Sequence, residues 1–185
     1  MGVVADSLDR AGQAAFTRSI PKSAGAQMRY LVRQQKDSTK AVASLLGISQ
    51  RTVERYVKGQ IKTPKAALAE RMKTEAQRRW QPQVRKRARE RAAAQTGLVI
   101  ETRARFGFTA APGTTDDGRM RRITQHLPPE FAGWLLAAQD AGATEAELRN
   151  LAAEGLQEMY FKDSGGRAQG LLVEFTDIDY IDVSL

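Results

Sequence analysis

Cysteine is absent from this 185-residue chain, which excludes disulfides, zinc fingers and thiol catalysis. Histidine occurs once, at His126, so neither a catalytic site that needs a second, partnering His nor a His-rich metal site can be assembled. His126 itself reads as a surface or turn residue. No apolar run approaches the roughly 20 residues that cross a bilayer. Residues 1–10 lack the apolar core of a signal peptide. The expectation is a cytoplasmic protein without a membrane partner. There is no internal repeat, no low-complexity tract, and no acidic grouping with metal-ligand spacing, so no metal site and no catalytic residue is expected.

What the chain does have is positive charge in one place. Hydrophobic residues make up 42%, enough for a real core, and the net charge is +8. Residues 1–110 carry 23 Lys and Arg against 8 Asp and Glu, while residues 111–185 carry 6 against 13. A basic half faces an acidic one, and the basic half suits a polyanionic partner. The opposite reading, a merely solvated charged face, weakens once a motif appears inside it.

Residues 1–25 end in a loop-rich stretch about Pro21 and Gly25 and read as an arm. A basic helical domain follows over residues 26–95. Its first helix carries Met28, Leu31 and Val32; a later one, opened by Pro64, carries Leu68, Met72 and Ala76 and ends or kinks at Pro82. From Gly97 the period changes. Leu98, Ile100, Thr102, Ala104 and Phe106 alternate with Val99, Glu101, Arg103 and Arg105, the pattern of a half-buried strand. Turn residues fill 108–118, giving a strand-and-loop region over 96–126. Residues 127–185 read as an acidic α+β interaction domain, with a helix opened by Pro129, a second capped by Thr144 and Glu147, and one or two strands over 171–185 broken near Asp177. The fold class expected is mostly α with some β: an N-terminal helix-turn-helix domain and a smaller C-terminal α+β region.

The helix-turn-helix spans residues 39–56. Two helices crossing steeply need a small residue at the close approach, here Ala43, and a turn residue tolerant of positive φ, here Gly47. Val42, Leu46, Ile48, Val53 and Tyr56 fill the angle. Ser49 is a good N-cap for the second helix. That helix would enter a major groove and present Gln50, Arg51, Glu54 and Arg55, with Lys58 near the backbone. Glutamine can pair with adenine and arginine with guanine. Arg85, Lys86, Arg87 and Arg89, farther along, suit phosphates and carry no sequence information; a solvated helix face explains the same run.

Beyond the motif, residues 16–31, 46–57 and 102–117 resemble the telomere terminal proteins (Tpg type) of actinobacterial linear chromosomes and plasmids. The resemblance extends over essentially the whole chain, including residues 152–161 and the Phe-Thr-Asp-Ile segment at 175–178. Its most specific part is Pro-Gly-Thr-Thr-Asp-Asp at 112–117. It implies a protein primer rather than an enzyme: a chain that binds telomeric DNA and becomes joined through a threonine hydroxyl to the 5′ end of a linear replicon. It also implies a telomere-associated DNA-binding partner, a DNA polymerase that supplies the divalent metal, no cofactor of its own, and a place at replicon ends in the nucleoid. By position it assigns the nucleotide-acceptor role to Thr114. Composition alone does not separate Thr114 from Thr115 or Thr109, and Asp116 and Asp117 either cap the next element or approach the metal.

Three other readings compete. A helix-turn-helix transcriptional regulator explains the motif and the charge but leaves the loop and the acidic half without a task. A nuclease or transferase using Asp116, Asp117 and the acidic residues of 177–182 lacks a recognised ligand spacing. Residues 119–160 have the strand-helix-helix order of ribbon-helix-helix proteins, which would make the protein a homodimer with the loop beside its two-fold axis.

Overall fold

The computed structural model describes residues 2–109, 120–162 and 172–185. It is mostly α with some β. Two compact units divide the chain: one is Phe16–Pro82, the other joins Met1–Ala15 to Gln83–Leu185.

The first unit is helical: α2 (Ala24–Gln34), α3 (Thr39–Leu46), α4 (Gln50–Val57) and α5 (Ala66–Arg79). Its core is Met28, Leu31, Val42, Leu46, Val53, Tyr56 and Met72, the apolar stripes of all four helices. Burying each such side chain stabilises by about 1.5–3 kcal/mol. Tyr30 closes one end: its ring meets Trp80 edge-on, centroids 4.8 Å apart, and its hydroxyl donates to the Arg79 carbonyl. Burial pushes the Tyr30 hydroxyl up, against the opposing pull of Arg79.

The second unit is α+β. Helix α1 (Val3–Ala14) and α6 (Pro82–Arg91), extended by a π-helical turn (Ala92–Thr96), lead into β1 (Leu98–Thr109). Then come β2 (Met120–Leu127), α7 (Pro129–Asp140), α8 (Glu145–Leu156) with its own π-helical turn (Gln157–Phe161), and β3 (Leu172–Ser184). The strands form an antiparallel sheet in the order β2-β1-β3. The alternation expected in β1 is observed: Leu98, Ile100, Thr102, Ala104 and Phe106 are buried, Glu101, Arg103 and Arg105 exposed. The buried face packs on Val4 and Leu8 of α1, Leu135 of α7 and Leu148 and Leu156 of α8. Gly97 is obligatory. Its φ is +68°, and a Cβ there would lie 2.1 Å from the Leu127 carbonyl oxygen.

Several boundaries differ from those the sequence suggests. Residues 3–14 are not an arm but a helix whose Val4, Leu8 and Ala11 are buried in the α+β core. Glu145 of α8 accepts from the Val4 and Ala5 N–H groups at 3.0 and 3.2 Å, giving the dipole of α1 a carboxylate. Residues 83–95 belong to the α+β unit, so the basic helical domain is Phe16–Pro82 rather than 26–95. Residues 96–126 and 127–185 are not separate regions, because β1, β2 and β3 share one sheet. The C-terminal strand is continuous. Its register with β1 slips between Arg103 and Ala104 and between Arg105 and Phe106, leaving Asp179 and Thr176 as bulges on either side of Asp177. The capping box at Thr144 and Glu147 forms as expected.

Candidate nucleic-acid interface

Helix α3 starts under Ser38, whose hydroxyl accepts from the Ala41 N–H at 3.1 Å. It ends at Gly47, in the left-handed region at φ +61° and ψ +43°, and the Ile48 N–H then donates to the Ala43 carbonyl at 3.0 Å. Any residue with a Cβ would be strained at Gly47. Ser49 caps α4 by accepting from the Thr52 N–H at 3.2 Å. Val53 and Tyr56 face the core, and Ala43 is buried where the helices approach. The local geometry is that of a helix-turn-helix.

Burial of one face leaves the other to solvent. Ser49, Gln50, Arg51, Arg55 and Lys58 are exposed and Glu54 is half-buried. Arg51 and Arg55 stand one turn apart, spaced to reach neighbouring groups along a groove. Gln50 is already engaged: its amide nitrogen donates to Thr39 Oγ1 at 3.0 Å and to Glu54 Oε1 at 3.1 Å. Thr39, passed over by sequence reasoning, therefore orients a candidate base-reading side chain. Ser49 acts as a cap, with its hydroxyl 2.8 Å from that of Thr52. Lys40, Lys62 and Lys65 are exposed on the same unit and were also passed over, since they lie outside the motif.

The charge is concentrated in this unit. Phe16–Pro82 holds 15 Lys and Arg against 4 Asp and Glu, net +11; the rest of the chain holds 14 against 17, net −3. A division at residue 110 gives a larger contrast, +15 against −7, because it counts the cations of α6 and β1 with the helical unit although they belong to the α+β unit.

The α6 cations do not share one exposed face. Lys86 and Arg87 are exposed, Lys86 with Glu90 3.7 Å away. Arg85 is half-buried and lies across Gly12 of α1. Arg89 turns inward, its side chain 12% exposed, and donates to the Leu136 carbonyl, Gln139 Oε1 and Asp140 Oδ1 at 2.8–2.9 Å. A guanidinium so placed bonds a carbonyl in the last turns of α7 and sits favourably at the negative end of its dipole. Arg89 is thus engaged within the α+β unit, with little of its side chain left to solvent. Sequence cannot separate it from Arg87, because its partners lie some 50 residues away.

Thr114, with Thr115, Asp116 and Asp117, lies outside the described residues; residues 110–119 connect the end of β1 to the start of β2. Among the described residues no group of His, Asp and Glu could hold a metal ion, and no helix is long and apolar enough to cross a membrane. No family model, no curated protein and no solved structure matches this chain.

Proposed function

We propose that the protein binds duplex DNA through α3 and α4 and serves as the primer for DNA synthesis at the end of a linear replicon, with Thr114 as nucleotide acceptor. The observation that carries the binding half is the exposed Arg51-Arg55-Lys58 face of a capped, Gly47-turned helix pair on a unit of net +11. The priming half rests on the Pro-Gly-Thr-Thr-Asp-Asp resemblance, in the segment that joins two antiparallel strands. In the reaction, Thr114 Oγ attacks the α-phosphorus of a deoxynucleoside triphosphate. The Oγ–P bond forms, pyrophosphate leaves, and the hydroxyl proton passes to the polymerase site or solvent. The polymerase brings the divalent metals that stabilise both oxygens.

Telomeric DNA, the polymerase and a telomere-associated DNA-binding protein are the partners of this reading, at replicon ends in the nucleoid. The α+β unit offers them exposed aromatics rather than charge: Trp134 is 47% exposed beside Phe131, and Tyr160 is 42% exposed. Phe161 is half-buried, its ring 5.3 Å from that of Phe106.

The experiment incubates the full chain with labelled deoxynucleotide, polymerase, partner protein and telomeric template. Wild type and Thr115→Ala take up label that warm alkali releases by β-elimination; Thr114→Ala takes up none yet binds DNA normally. Full labelling of Thr114→Ala would overturn the acceptor assignment, and alkali-stable label would move it to a tyrosine. A chain that binds DNA but never takes label under any condition is the transcriptional regulator.

A further inference from the structure

The first residues of α3 and α4, Thr39 and Gln50, meet across the turn of the helix pair. Gln50 is exposed, yet its amide nitrogen is spent inside the protein. It donates to Thr39 Oγ1 at 3.0 Å and to Glu54 Oε1 at 3.1 Å. The Glu54 contact fixes which way the amide points: a carboxylate only accepts, so the group facing it is the NH2 end. The same nitrogen faces Thr39, whose hydroxyl oxygen must therefore accept as well. A glutamine amide has two N–H groups, and both are taken.

The acceptor side is what remains. Among the described residues nothing donates to Gln50 Oε1 or to Glu54 Oε2. Residues 50 and 54 lie one turn apart on α4, and so do residues 51 and 55. The helix thus presents two rows, oxygen acceptors on one and the exposed guanidinium donors of Arg51 and Arg55 on the other.

Base edges in the major groove answer these rows differently. Guanine shows two acceptors, which suits the arginines. Adenine shows a donor beside an acceptor, and pairs with a glutamine that can give an N–H as well as a C=O. Gln50 has no N–H left to give. Cytosine shows a single donor, its 4-amino group, and asks only for an acceptor. Thymine O4 is an acceptor and would be repelled.

We propose that Gln50 reads cytosine rather than adenine, because Thr39 and Glu54 hold its amide as an acceptor. Thr39 and Glu54 are positioning residues, each occupying one N–H. Breaking the Glu54 bond would leave a carboxylate oxygen without its donor in a groove emptied of water, which is costly. Breaking the Thr39 bond costs less, so Thr39 sets the preference. With Arg51 and Arg55 on guanine, both rows of α4 then select G·C pairs. This readout presupposes α4 as the reading helix, as in the proposed function, and does not depend on priming.

The test selects the preferred duplex of the full chain from a random pool, then changes that duplex one base pair at a time. The position read by Gln50 is the one whose preference Gln50→Ala abolishes. Wild type should carry cytosine there and bind the adenine version at least about fivefold more weakly. Thr39→Val frees one amide N–H and should bring adenine to within roughly twofold of cytosine, with preference at the arginine positions kept. Thr39→Ser keeps the hydroxyl and should behave as wild type. Adenine at that position in wild type overturns the proposal, as does a Thr39→Val chain with the full cytosine preference or a Gln50→Ala chain that loses none. Those results leave α4 as the reading helix. A pool without any preferred sequence removes that reading and the proposal with it. Should Thr39→Val fail to fold, the base selected by wild type decides.

Discussion

Arginines one turn apart have opposite fates in the two units. On α4, Arg51 and Arg55 stand in solvent because Val53 and Tyr56 take the buried face of a short helix. On α6, Arg85 and Arg89 are drawn inward, and Arg89 bonds the last turn of α7. A cation counted in a sequence is available to a phosphate only if no carbonyl or carboxylate of its own fold has claimed it. The helical unit has few acids to claim its cations; the α+β unit has more acids than bases.

The largest expected effects test whether the two cores are separate. Phe106 is fully buried, with Phe175 and Phe161 centroids 5.0 and 5.3 Å away, and Phe106→Ala should cost about 3–5 kcal/mol. Leu46→Ala in the helical unit should cost about 2–5 kcal/mol. Calorimetry of the full chains should show each variant lowering a different transition, and only Leu46→Ala should impair binding to duplex DNA. Loss of binding with both would mean that the units fold as one.

Next in size is Arg89. Arg89→Ala should cost roughly 1.5–3 kcal/mol by leaving charge-assisted hydrogen bonds unmade, with the salt dependence of DNA binding unchanged. Lys86→Ala and Arg87→Ala should leave melting alone. An Arg89→Ala chain that melts normally but binds DNA more weakly would return Arg89 to the phosphate-binding set.

Smaller still is the cap of α8. Thr144→Ala should cost about 1 kcal/mol. The Thr144 N–H and hydroxyl hold the Glu147 carboxyl below its ordinary value of 4.5. A depressed folded value means stabilisation present above 4.5 and lost as the pH falls through the lower folded value. Melting between pH 6 and 2 should therefore fall less steeply for Thr144→Ala than for wild type, and equal slopes would remove the effect.

The helix-turn-helix was legible because its constraints are local: a left-handed turn at Gly47, a cap at Ser49 and apolar spacing within 18 residues. The β1 alternation and the Thr144 capping box were legible for the same reason. Helix α1 was not, although Val4, Leu8 and Ala11 follow helical spacing, because the Pro21–Gly25 stretch dominates the reading of the N-terminus. Its partners, β3 and α8, also lie more than 130 residues away. Arg89 and the bulges about Asp177 were hidden likewise, since both depend on what packs against them.

In the proposed function α4 reads DNA sequence while the rest of the helical unit supplies affinity. The most direct test is titration of the full chain with a duplex selected from a random pool and with an unrelated duplex of equal length, across a range of salt. Affinity for both should fall steeply with salt, because several phosphates are neutralised. Arg51→Ala and Arg55→Ala should each narrow the gap between the two duplexes by roughly 1–3 kcal/mol. Equal losses on both duplexes, or a selected pool that yields no preferred sequence, would contradict the claim.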